Sequence, residues 1–259
     1  MKIDLAGKKA LVGGSSKGIG LGIASQLAKS GASVCLMARN KSKLEEIINQ
    51  LPNSENHSYL IVDFSNFEEY KIKIEAYLEN NQVDILVNNT QGPSAGNSLS
   101  KDIDSYQEAF DLLFKSIVYT TSLIVPKMQK NKWGRIINVT SVSVKEPLNY
   151  LVLSNSIRSA VVAWAKSLSV DVGKDGVTVN SILTGYFDTE RIKELNKEKS
   201  KSLNISEEEV LEKMKSLVPI NRLGKTEEYG YLVSFLSSDK ASYINGASIP
   251  IDGGLLRSY

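Results

Sequence analysis

A cluster of glycines near the N-terminus is the clearest arrangement in this sequence that could do chemistry. Residues 13–20 read Gly-Gly-Ser-Ser-Lys-Gly-Ile-Gly and lie between an apolar run typical of a strand and the start of a helical pattern. Glycines at such a junction permit a tight turn and let backbone N–H groups and the positive helix end approach a pyrophosphate. Glycine also simply makes turns, so the loop alone is weak evidence. Its position between strand and helix favours a dinucleotide site.

The residues that follow the second predicted strand bear on which dinucleotide would bind. An NAD-selective site usually places an acid there for the ribose hydroxyls, whereas this chain has Ala38, Arg39 and Asn40. Lys17 in the glycine loop and Arg39 could bracket a 2′-phosphate, since charge-assisted hydrogen bonds to phosphate are strong. The alternative is that both are solvated surface charges. The pattern favours NADP(H) over NAD(H).

An alternation of strand and helix patterns positions the glycine loop and continues along the chain. Strands are predicted at 9–13, 34–38, 59–63, 83–88, 135–139, 177–182 and 248–251. Helices are predicted at 18–29, 41–51, 67–78, 105–129, 150–172 and 226–236, with a mainly helical excursion at 189–217. Such alternation implies parallel pairing through right-handed crossovers. We therefore expect an α/β fold, a Rossmann-like doubly wound sheet of about seven strands with helices on both faces.

The composition sets outer limits on organisation and partners. The chain has 259 residues, of which 42% are hydrophobic, and no linker rich in Pro, Gly or Ser divides it, so we expect one domain. Its 31 Lys and Arg against 29 Asp and Glu give a formal charge of +2 without a basic block, which argues against nucleic acid as a partner. Without an apolar signal core or an obvious membrane span, we expect no membrane partner and a cytoplasmic location.

A metal site has little support in the sequence. The one cysteine, Cys35, lies in an apolar run where a buried structural thiol is expected. The one histidine, His57, lies in a polar loop. With no cluster of Cys and His, we expect no metal centre.

Further motifs, taken in chain order, carry a resemblance to a known family. They are Asp63-Phe64, Asn88-Asn89-Thr90-Gln91, residues 136–141, Val179-Asn180, Thr189, and the closing segments 219–224 and 249–254. Together with the glycine loop, they resemble the short-chain dehydrogenase/reductase family, close to its 3-oxoacyl carrier-protein reductase type, over essentially the whole chain. The resemblance implies a single NAD(P)-binding Rossmann-fold domain at 1–259. Residues 191–216 are rich in Lys, Glu and Ser, and we expect residues 186–218 to form a helical lid over the substrate.

The resemblance also implies which residues hold the cofactor. They are Gly14, Ser16, Lys17, Gly18, Ile19, Gly20, Arg39, Asp63, Phe64, Asn89, Thr90, Arg158 and Thr189. Asp63 and Phe64 lie where the family contacts adenine. Thr189 lies where the family bonds the nicotinamide amide.

The catalytic positions are where the chain departs from the family. The family protonates its substrate from a tyrosine whose pKa is lowered by a lysine one helical turn later, with a serine on the carbonyl oxygen and an asparagine holding a water relay. Ser141 falls at the serine position. The register set by residues 165–168 puts Ser154 at the tyrosine position and Arg158 at the lysine position, and Leu113 falls about where the asparagine belongs. Serine is a far poorer acid than a phenol and arginine stays protonated, so this pair cannot repeat the family's relay.

Other groups could supply the proton. Tyr150 is four residues before Ser154, so on a continuous helix its phenol would lie on the same face, one turn nearer the N-terminus. Packing against a loop is the alternative. Tyr186 follows a turn that resembles the family's and is expected near the nicotinamide, with lid packing as its alternative. Lys145 and Glu146 could also face the pocket, although we expect both to be solvent-exposed.

Arg158 suggests a different use of the lysine position. Its guanidinium could bond the nicotinamide ribose, and its planar fork also suits a substrate carboxylate, which would favour an oxo acid or a sugar acid over a neutral ketone.

We therefore expect an NADP(H)-dependent oxidoreductase of a small-molecule carbonyl compound in which Ser141 holds the carbonyl oxygen. Tyr150, Tyr186 or a bound water would give the proton. The alternative is a catalytically silent dinucleotide-binding protein. The resemblance further implies a homotetramer.

Overall fold

One parallel sheet organises residues 2–258, which are the residues that the computed structural model of the chain describes. Its strand order is β3-β2-β1-β4-β5-β6-β7, and every neighbouring pair is parallel. The strands are β1 (Lys9–Gly13), β2 (Ser33–Ala38), β3 (Ser58–Ile61), β4 (Ile85–Asn88), β5 (Gly134–Val139), β6 (Val177–Thr184) and β7 (Ser248–Ile251). The doubly wound α/β fold predicted from the sequence is confirmed.

Helices connect the strands. They are α1 (Gly18–Lys29), α2 (Lys41–Gln50), α3 (Phe67–Asn80), α4 (Ile103–Phe110), α5 (Ser116–Lys130), α6 (Val152–Gly173), α7 (Glu190–Leu203), α8 (Glu207–Leu217) and α9 (Thr226–Leu236). Because side chains alternate across a strand, Val12 and Leu11 of β1 enter two different apolar cores. The core around Val12 includes residues of α1, α2 and α9, and the core around Leu11 includes residues of α3, α5 and α6. Helices therefore cover both faces of the sheet.

Helices α1 and α9 touch through their backbones. A Cβ added to Gly22 would lie 2.4 Å from the carbonyl oxygen of Thr226, and one added to Gly230 would lie 2.6 Å from the oxygen of Gly22. Glycine at both positions is what allows this approach. Since α1 begins in the glycine loop, the contact fixes the base of that loop against the C-terminal part of the chain.

Two predicted helices differ from the structure in ways that affect the site. The helix predicted at 105–129 is interrupted by a π-helical turn, Asp111–Lys115, between α4 and α5. The hydroxyl of Ser116 donates to the carbonyl oxygen of Leu112 at 2.7 Å, which satisfies a carbonyl at this irregularity. The helix predicted at 150–172 instead begins at Val152 and includes Gly173, so Tyr150 lies before it and Gly173 does not stop it.

The continuous span Ile103–Lys130 is long and apolar enough to cross a membrane, and it is the one such segment among the described residues. Half of its most apolar window is buried inside the fold. A core helix meets the same criteria of length and composition.

The lone cysteine and histidine both lie near β2 and β3. Cys35 is buried, as expected, and burial raises the pKa of its thiol. His57 joins two segments: Nδ1 accepts a hydrogen bond from the Val34 N–H at 3.0 Å, and Nε2 lies 2.9 Å from the carbonyl oxygen of Pro52. This histidine therefore has a structural role that its polar surroundings in the sequence do not indicate.

Candidate active site and cofactor cradle

The glycine-rich loop forms a cradle in which Gly13, Gly14 and Gly20 leave no room for a side chain. Gly14 has a left-handed backbone (φ +55°), and a Cβ on Gly20 would lie 2.2 Å from the Gly14 carbonyl oxygen. Lys17 precedes α1 at the N-cap position without capping it by its side chain. The first N–H groups of α1 are therefore available to an anion, which fits the pyrophosphate of a dinucleotide. Ser16 and Ile19 are half-buried in the same loop.

The segment after β4 closes against the glycine loop. Asn89 Nδ2 donates to the carbonyl oxygen of Gly13 at 3.0 Å, and a Cβ on Gly13 would lie 2.2 Å from the carbonyl oxygen of Asn89. Gly13, Phe64, Asn89 and Thr90 line one small cavity. The structure thus brings three of the predicted cofactor residues together beside the loop, at the carboxyl ends of the central strands.

Both cations expected to bind a 2′-phosphate have acidic neighbours. Arg39 Nη1 lies 3.9 Å from Asp63 Oδ2, and Lys17 Nζ lies 2.5 Å from Glu190 Oε2 at the start of α7. Partial burial would raise the pKa of Asp63, but hydrogen bonds from Ser65 and the charge of Arg39 lower it overall. Sequence reasoning did not find Glu190, because nothing in the local pattern joins it to a loop so far away in the chain.

Ser141 lies two residues after β5, at the start of a short 3₁₀ turn, Val142–Val144. Its Oγ accepts a hydrogen bond from the Ser143 backbone N–H at 3.1 Å. A hydroxyl that accepts in this way can still donate its own hydrogen. The hydroxyl hydrogen of Ser141 is therefore available at the carboxyl end of β5.

Ser154 and Arg158 lie one turn apart on α6 and are hydrogen-bonded. Arg158 Nε donates to Ser154 Oγ at 3.2 Å, and Nη1 donates to the carbonyl oxygen of Val139, the last residue of β5. The second bond anchors the guanidinium two residues from Ser141. This arrangement brings Ser141, Ser154 and the Arg158 guanidinium into one region.

Arg158 carries a positive charge that no nearby acid neutralises. Among residues 2–258, no carboxylate lies within ion-pair distance of it. Burial lowers the pKa of Arg158 to about 10; the Tyr229 phenol opposes this effect and the positive charge of Arg191 adds to it. The group stays protonated at neutral pH, so it can stabilise an anion but cannot relay a proton as a lysine can.

The phenols of Tyr150 and Tyr186 are neighbours, and each shifts the pKa of the other. Tyr150 lies in the turn before α6, where its carbonyl oxygen accepts from the Gly96 N–H at 2.8 Å, so the helical relation to Ser154 expected from the sequence is wrong. Tyr186 follows β6. The two candidate proton donors thus meet through tertiary structure rather than through a shared helix.

The phenol pair has a direction. Burial raises the pKa of both groups, and the neighbouring phenol raises the pKa of Tyr150 further while it lowers that of Tyr186. The two phenols are therefore not equivalent, and Tyr186 is the one whose ionisation its neighbour favours.

Ser141 and Tyr186 leave the sheet side by side. Strands β5 and β6 are neighbours, with Val139 opposite Ile182, and the Thr140 N–H donates to the Ile182 carbonyl oxygen at 2.9 Å. Each chain then enters the loop at the carboxyl end of its strand. Ligands of open α/β sheets bind at this edge.

The first turn of α7 rests on the glycine loop. Thr189 caps α7, its Oγ1 accepting from the Ile192 N–H at 3.4 Å. A Cβ on Gly18 would lie 3.4 Å from Thr189 Cγ2, which is ordinary van der Waals contact. Thr189, expected to bond the nicotinamide amide, therefore lies beside the predicted cofactor cradle.

Helix α7 continues from the cradle to the phenol pair. Arg191 Nη2 donates to the carbonyl oxygen of Pro93, in the segment after β4, at 2.8 Å. Two turns later, Lys199 Nζ lies 5.4 Å from the centroid of the Tyr150 ring. The inner side of α7 thus adds two cations that sequence reasoning did not single out.

Three other positions considered from the sequence also have defined surroundings. Leu113 lies in the π-helical turn and is 1% exposed, so an apolar side chain occupies the place expected for the family's asparagine. Lys145 is exposed. Glu146 is half-buried, and its Oε1 accepts hydrogen bonds from the backbone N–H groups of Arg257 and Ser258 at 2.9 and 2.8 Å. Glu146 therefore holds the C-terminal tail.

Comparison with known proteins decides the family. A family model described as enoyl-(acyl carrier protein) reductase matches residues 14–256, which is nearly the whole chain. The chain belongs to the short-chain dehydrogenase/reductase family. The family expected from the sequence motifs is confirmed, and it is a family of oxidoreductases.

Relatives within the short-chain dehydrogenase/reductase family match over their full length. The 3-oxoacyl-[acyl-carrier-protein] reductase of Pseudomonas aeruginosa is 31% identical over 264 residues, which cover 99% of this chain and 100% of the relative. The oxidoreductase UcpA of Salmonella typhimurium is 31% identical over 255 residues, which cover 96% of this chain and 95% of the relative.

Solved structures of the same family superpose closely on the chain. The L-sorbose reductase of Gluconobacter frateurii, complexed with NADPH and L-sorbose, has a TM-score of 0.92 and 30% identity, with 100% of both chains covered. YwfH, an NADPH-dependent reductase involved in bacilysin biosynthesis, has a TM-score of 0.89 and 27% identity, covering 97% of this chain and 99% of its own. These similarities concern the scaffold.

Proposed function

We propose that the protein is an NADP(H)-dependent oxidoreductase that reduces a carbonyl compound to an alcohol with a non-standard catalytic set. The observation that carries this proposal is the Tyr150–Tyr186 pair. It offers a phenol proton at the sheet edge where Ser141 lies, although the family's own tyrosine position holds Ser154. A releasable proton beside a hydroxyl that can bind an oxygen is what carbonyl reduction requires of the protein.

The cofactor in this proposal is NADP(H) rather than NAD(H). Support comes from the glycine cradle, from the lack of an acid after β2, and from Lys17 and Arg39 at the two places expected for phosphate cations. The L-sorbose reductase that superposes on this chain was crystallised with NADPH. When bound, the cofactor supplies the hydride.

The protein's own groups would then have separate roles. Ser141 donates a hydrogen bond to the carbonyl oxygen and holds it at the carboxyl end of β5. Tyr186 gives that oxygen its proton, and Tyr150 stabilises the remaining phenolate by donating to it. Arg158 adds a fixed positive charge that favours the negative charge developing on the oxygen, with Ser154 orienting its guanidinium.

The substrate in this proposal is an oxo acid or a sugar acid. Arg158 has no carboxylate partner among the described residues, and Arg191 approaches closely enough to lower its pKa. An uncompensated, partly buried guanidinium is costly, and a carboxylate ligand relieves that cost by a bidentate hydrogen bond. Residues 186–218, which contain α7 and α8, would serve as the substrate lid of a single domain spanning 1–259.

Turnover and cofactor binding test the proposal directly. Oxidation of NADPH should depend on the protein with at least one member of a panel of oxo acids, uronate-derived sugars and oxoacyl thioesters. Ser141→Ala should lower kcat by about a hundredfold because the substrate oxygen loses its donor. Ser156→Ala, an exposed serine on α6, is the matched control and should retain full activity. Tight NADPH binding without turnover on any substrate would favour the catalytically silent dinucleotide-binding protein instead.

The same panel tests the carboxylate role when each oxo acid is paired with its neutral ester. Loss of a charge-assisted bidentate contact should lower kcat/KM for the ester by at least about tenfold. Equal kcat/KM values for acid and ester would remove the carboxylate role and leave the reductase proposal standing.

We also propose a homotetramer acting in the cytoplasm, assembled through the helical pair α4–α5 and α6, the last strand and the C-terminal tail. Support comes from apolar side chains left exposed on these helices, Phe110 at 37% and Val170 at 74%. Val161 does not contribute to such a seam, because it is 1% exposed and belongs to the core. Sedimentation velocity should give a mass of about four chains, and a single monomeric species would contradict the assembly.

A further inference from the structure

An ion pair joins the glycine loop to the first residue of α7. Lys17 Nζ lies 2.5 Å from Glu190 Oε2, and the two side chains are 59% and 64% exposed. Next to the pair, a Cβ added to Gly18 would lie 3.4 Å from Thr189 Cγ2. The loop expected to hold the cofactor and the segment expected to cover it are therefore linked by one carboxylate and one ammonium.

The positive charge of Lys43 on α2 also acts on Glu190. The pKa of its carboxyl is lowered first by the hydrogen bond and charge of Lys17, and further by the charges of Lys193 and Lys43. Lys43 is in the first turn of α2, three residues after the cap residue Asn40. The carboxylate of Glu190 is thus paired with Lys17 of the glycine loop and also lies in the field of a cation near the start of α2.

We propose that Glu190 determines cofactor specificity by competing with the 2′-phosphate of NADP(H) for Lys17. The ammonium bonds Glu190 in the protein as described and must exchange that partner for the phosphate when the cofactor binds. Two anions cannot share one lysine without repulsion, so Glu190 weakens NADPH binding relative to what Lys17 alone would give. The exchange also releases the first residue of α7 from the glycine loop as the cofactor arrives.

The inference rests on the proposed NADP(H) use and not on turnover. It applies to Lys17 and not to Arg39. The acidic neighbour of Arg39 is Asp63, which lies after β3 and not on the lid. The prediction is therefore specific to the carboxylate on α7.

The test is a titration of purified protein with NADPH and with NADH, followed by cofactor fluorescence. Glu190→Gln should bind NADPH about twofold to fivefold more tightly, the range expected for an exposed ion pair, and should bind NADH as the unchanged protein does. The gain should shrink at high salt, because both side chains are exposed. Glu198→Gln makes the same charge change on the exposed face of α7 and should leave both affinities unchanged.

A double-mutant cycle identifies the partner. Lys17→Gln should weaken NADPH binding, and adding Glu190→Gln to it should give no further gain, because the competing pair is already absent. Thermal unfolding of all variants checks that each is folded, which the exposure of both side chains leads us to expect.

Three results would overturn the inference. They are equal gains for NADPH and NADH in Glu190→Gln, a gain that persists in the Lys17→Gln background, and no gain at all. The first would place the competition at the pyrophosphate, which both cofactors share. A protein that shows the NADPH-specific gain but reduces no carbonyl compound would contradict the proposed reductase and leave this inference intact.

Discussion

At the scale of single residues, Arg158 shows how one side chain changes what a site can do. A lysine in a buried position can give up its proton, whereas an arginine keeps it even where burial lowers the pKa to about 10. That Ser154 and Arg158 cannot repeat a tyrosine–lysine relay is a prediction from the sequence alone, because it follows from the two residue types. The hydrogen bonds of Arg158 to Val139 and Ser154 could not be predicted, since they depend on how α6 packs against the end of β5.

The phenol pair makes a residue-scale prediction. Tyr186→Phe removes the proposed general acid and should lower kcat by about a hundredfold, within the usual range for a general acid. Tyr150→Phe removes a supporting hydrogen bond and should lower kcat by about tenfold. Steady-state rates with any accepted substrate measure both, and Tyr231→Phe, an exposed tyrosine on α9, is the control.

The pH profile separates the two phenols. In the Tyr150→Phe variant, Tyr186 loses the neighbouring phenol that lowers its pKa, so the pKa of Tyr186 should rise. A general acid must be protonated to act, so the fall in kcat at high pH should move to still higher pH in Tyr150→Phe. A larger loss in Tyr150→Phe than in Tyr186→Phe would reverse the two roles.

At the scale of elements, apolar periodicity predicts where each strand and helix of the sheet lies, but it does not predict the π-helical turn Asp111–Lys115 or the start of α6. The start of α6 was misplaced because its N-cap residue, Leu151, makes no capping hydrogen bond that the sequence could signal. By contrast, the division of residues 186–218 into two helices does have a signal. Asn204 adopts a left-handed backbone at the end of α7, and Ser206 and Glu209 form a capping box that opens α8.

The entry to α9 provides an element-scale prediction about stability. Arg222 Nη2 and Nη1 donate to Glu228 Oε1 and Oε2 at 2.7 and 2.8 Å, and the Lys225 N–H also donates to Oε2 at 2.7 Å. These bonds, with the Arg222 contact first, lower the pKa of Glu228 to about 2. A pKa that is lower in the folded state stabilises the protein above the unfolded pKa, and the stabilisation is lost as pH falls toward 2.

Glu228→Gln should therefore lower Tm at pH 7 by about 1–3 °C, a modest effect because both side chains are partly exposed. The difference from the unchanged protein should fade between about pH 4.5 and pH 2. Thermal unfolding at both ends of this range measures it, with the adjacent Glu227→Gln as control. A Tm difference that stays constant with pH would show that the carboxylate charge is not responsible.

At the scale of the whole molecule, the sheet gathers residues that are far apart in the chain. The strand order turns at β1, whose neighbours are β2 and β4, and the glycine loop and Asn89 lie at that point. The position of this crevice could be predicted from the strand and helix alternation. The Lys17–Glu190 and Tyr150–Tyr186 contacts could not, because no local pattern records which distant loops a sheet brings together.

The backbone contact between α1 and α9 limits how the helices beneath the glycine loop can move. A Cβ at Gly22 or Gly230 would already clash with the facing backbone, which leaves little room for either helix to tilt toward the other. With residues 186–218 as the proposed lid, we expect ligand entry to depend on movement of that segment rather than of α1. The dinucleotide geometry would then stay constant while the substrate space adapts.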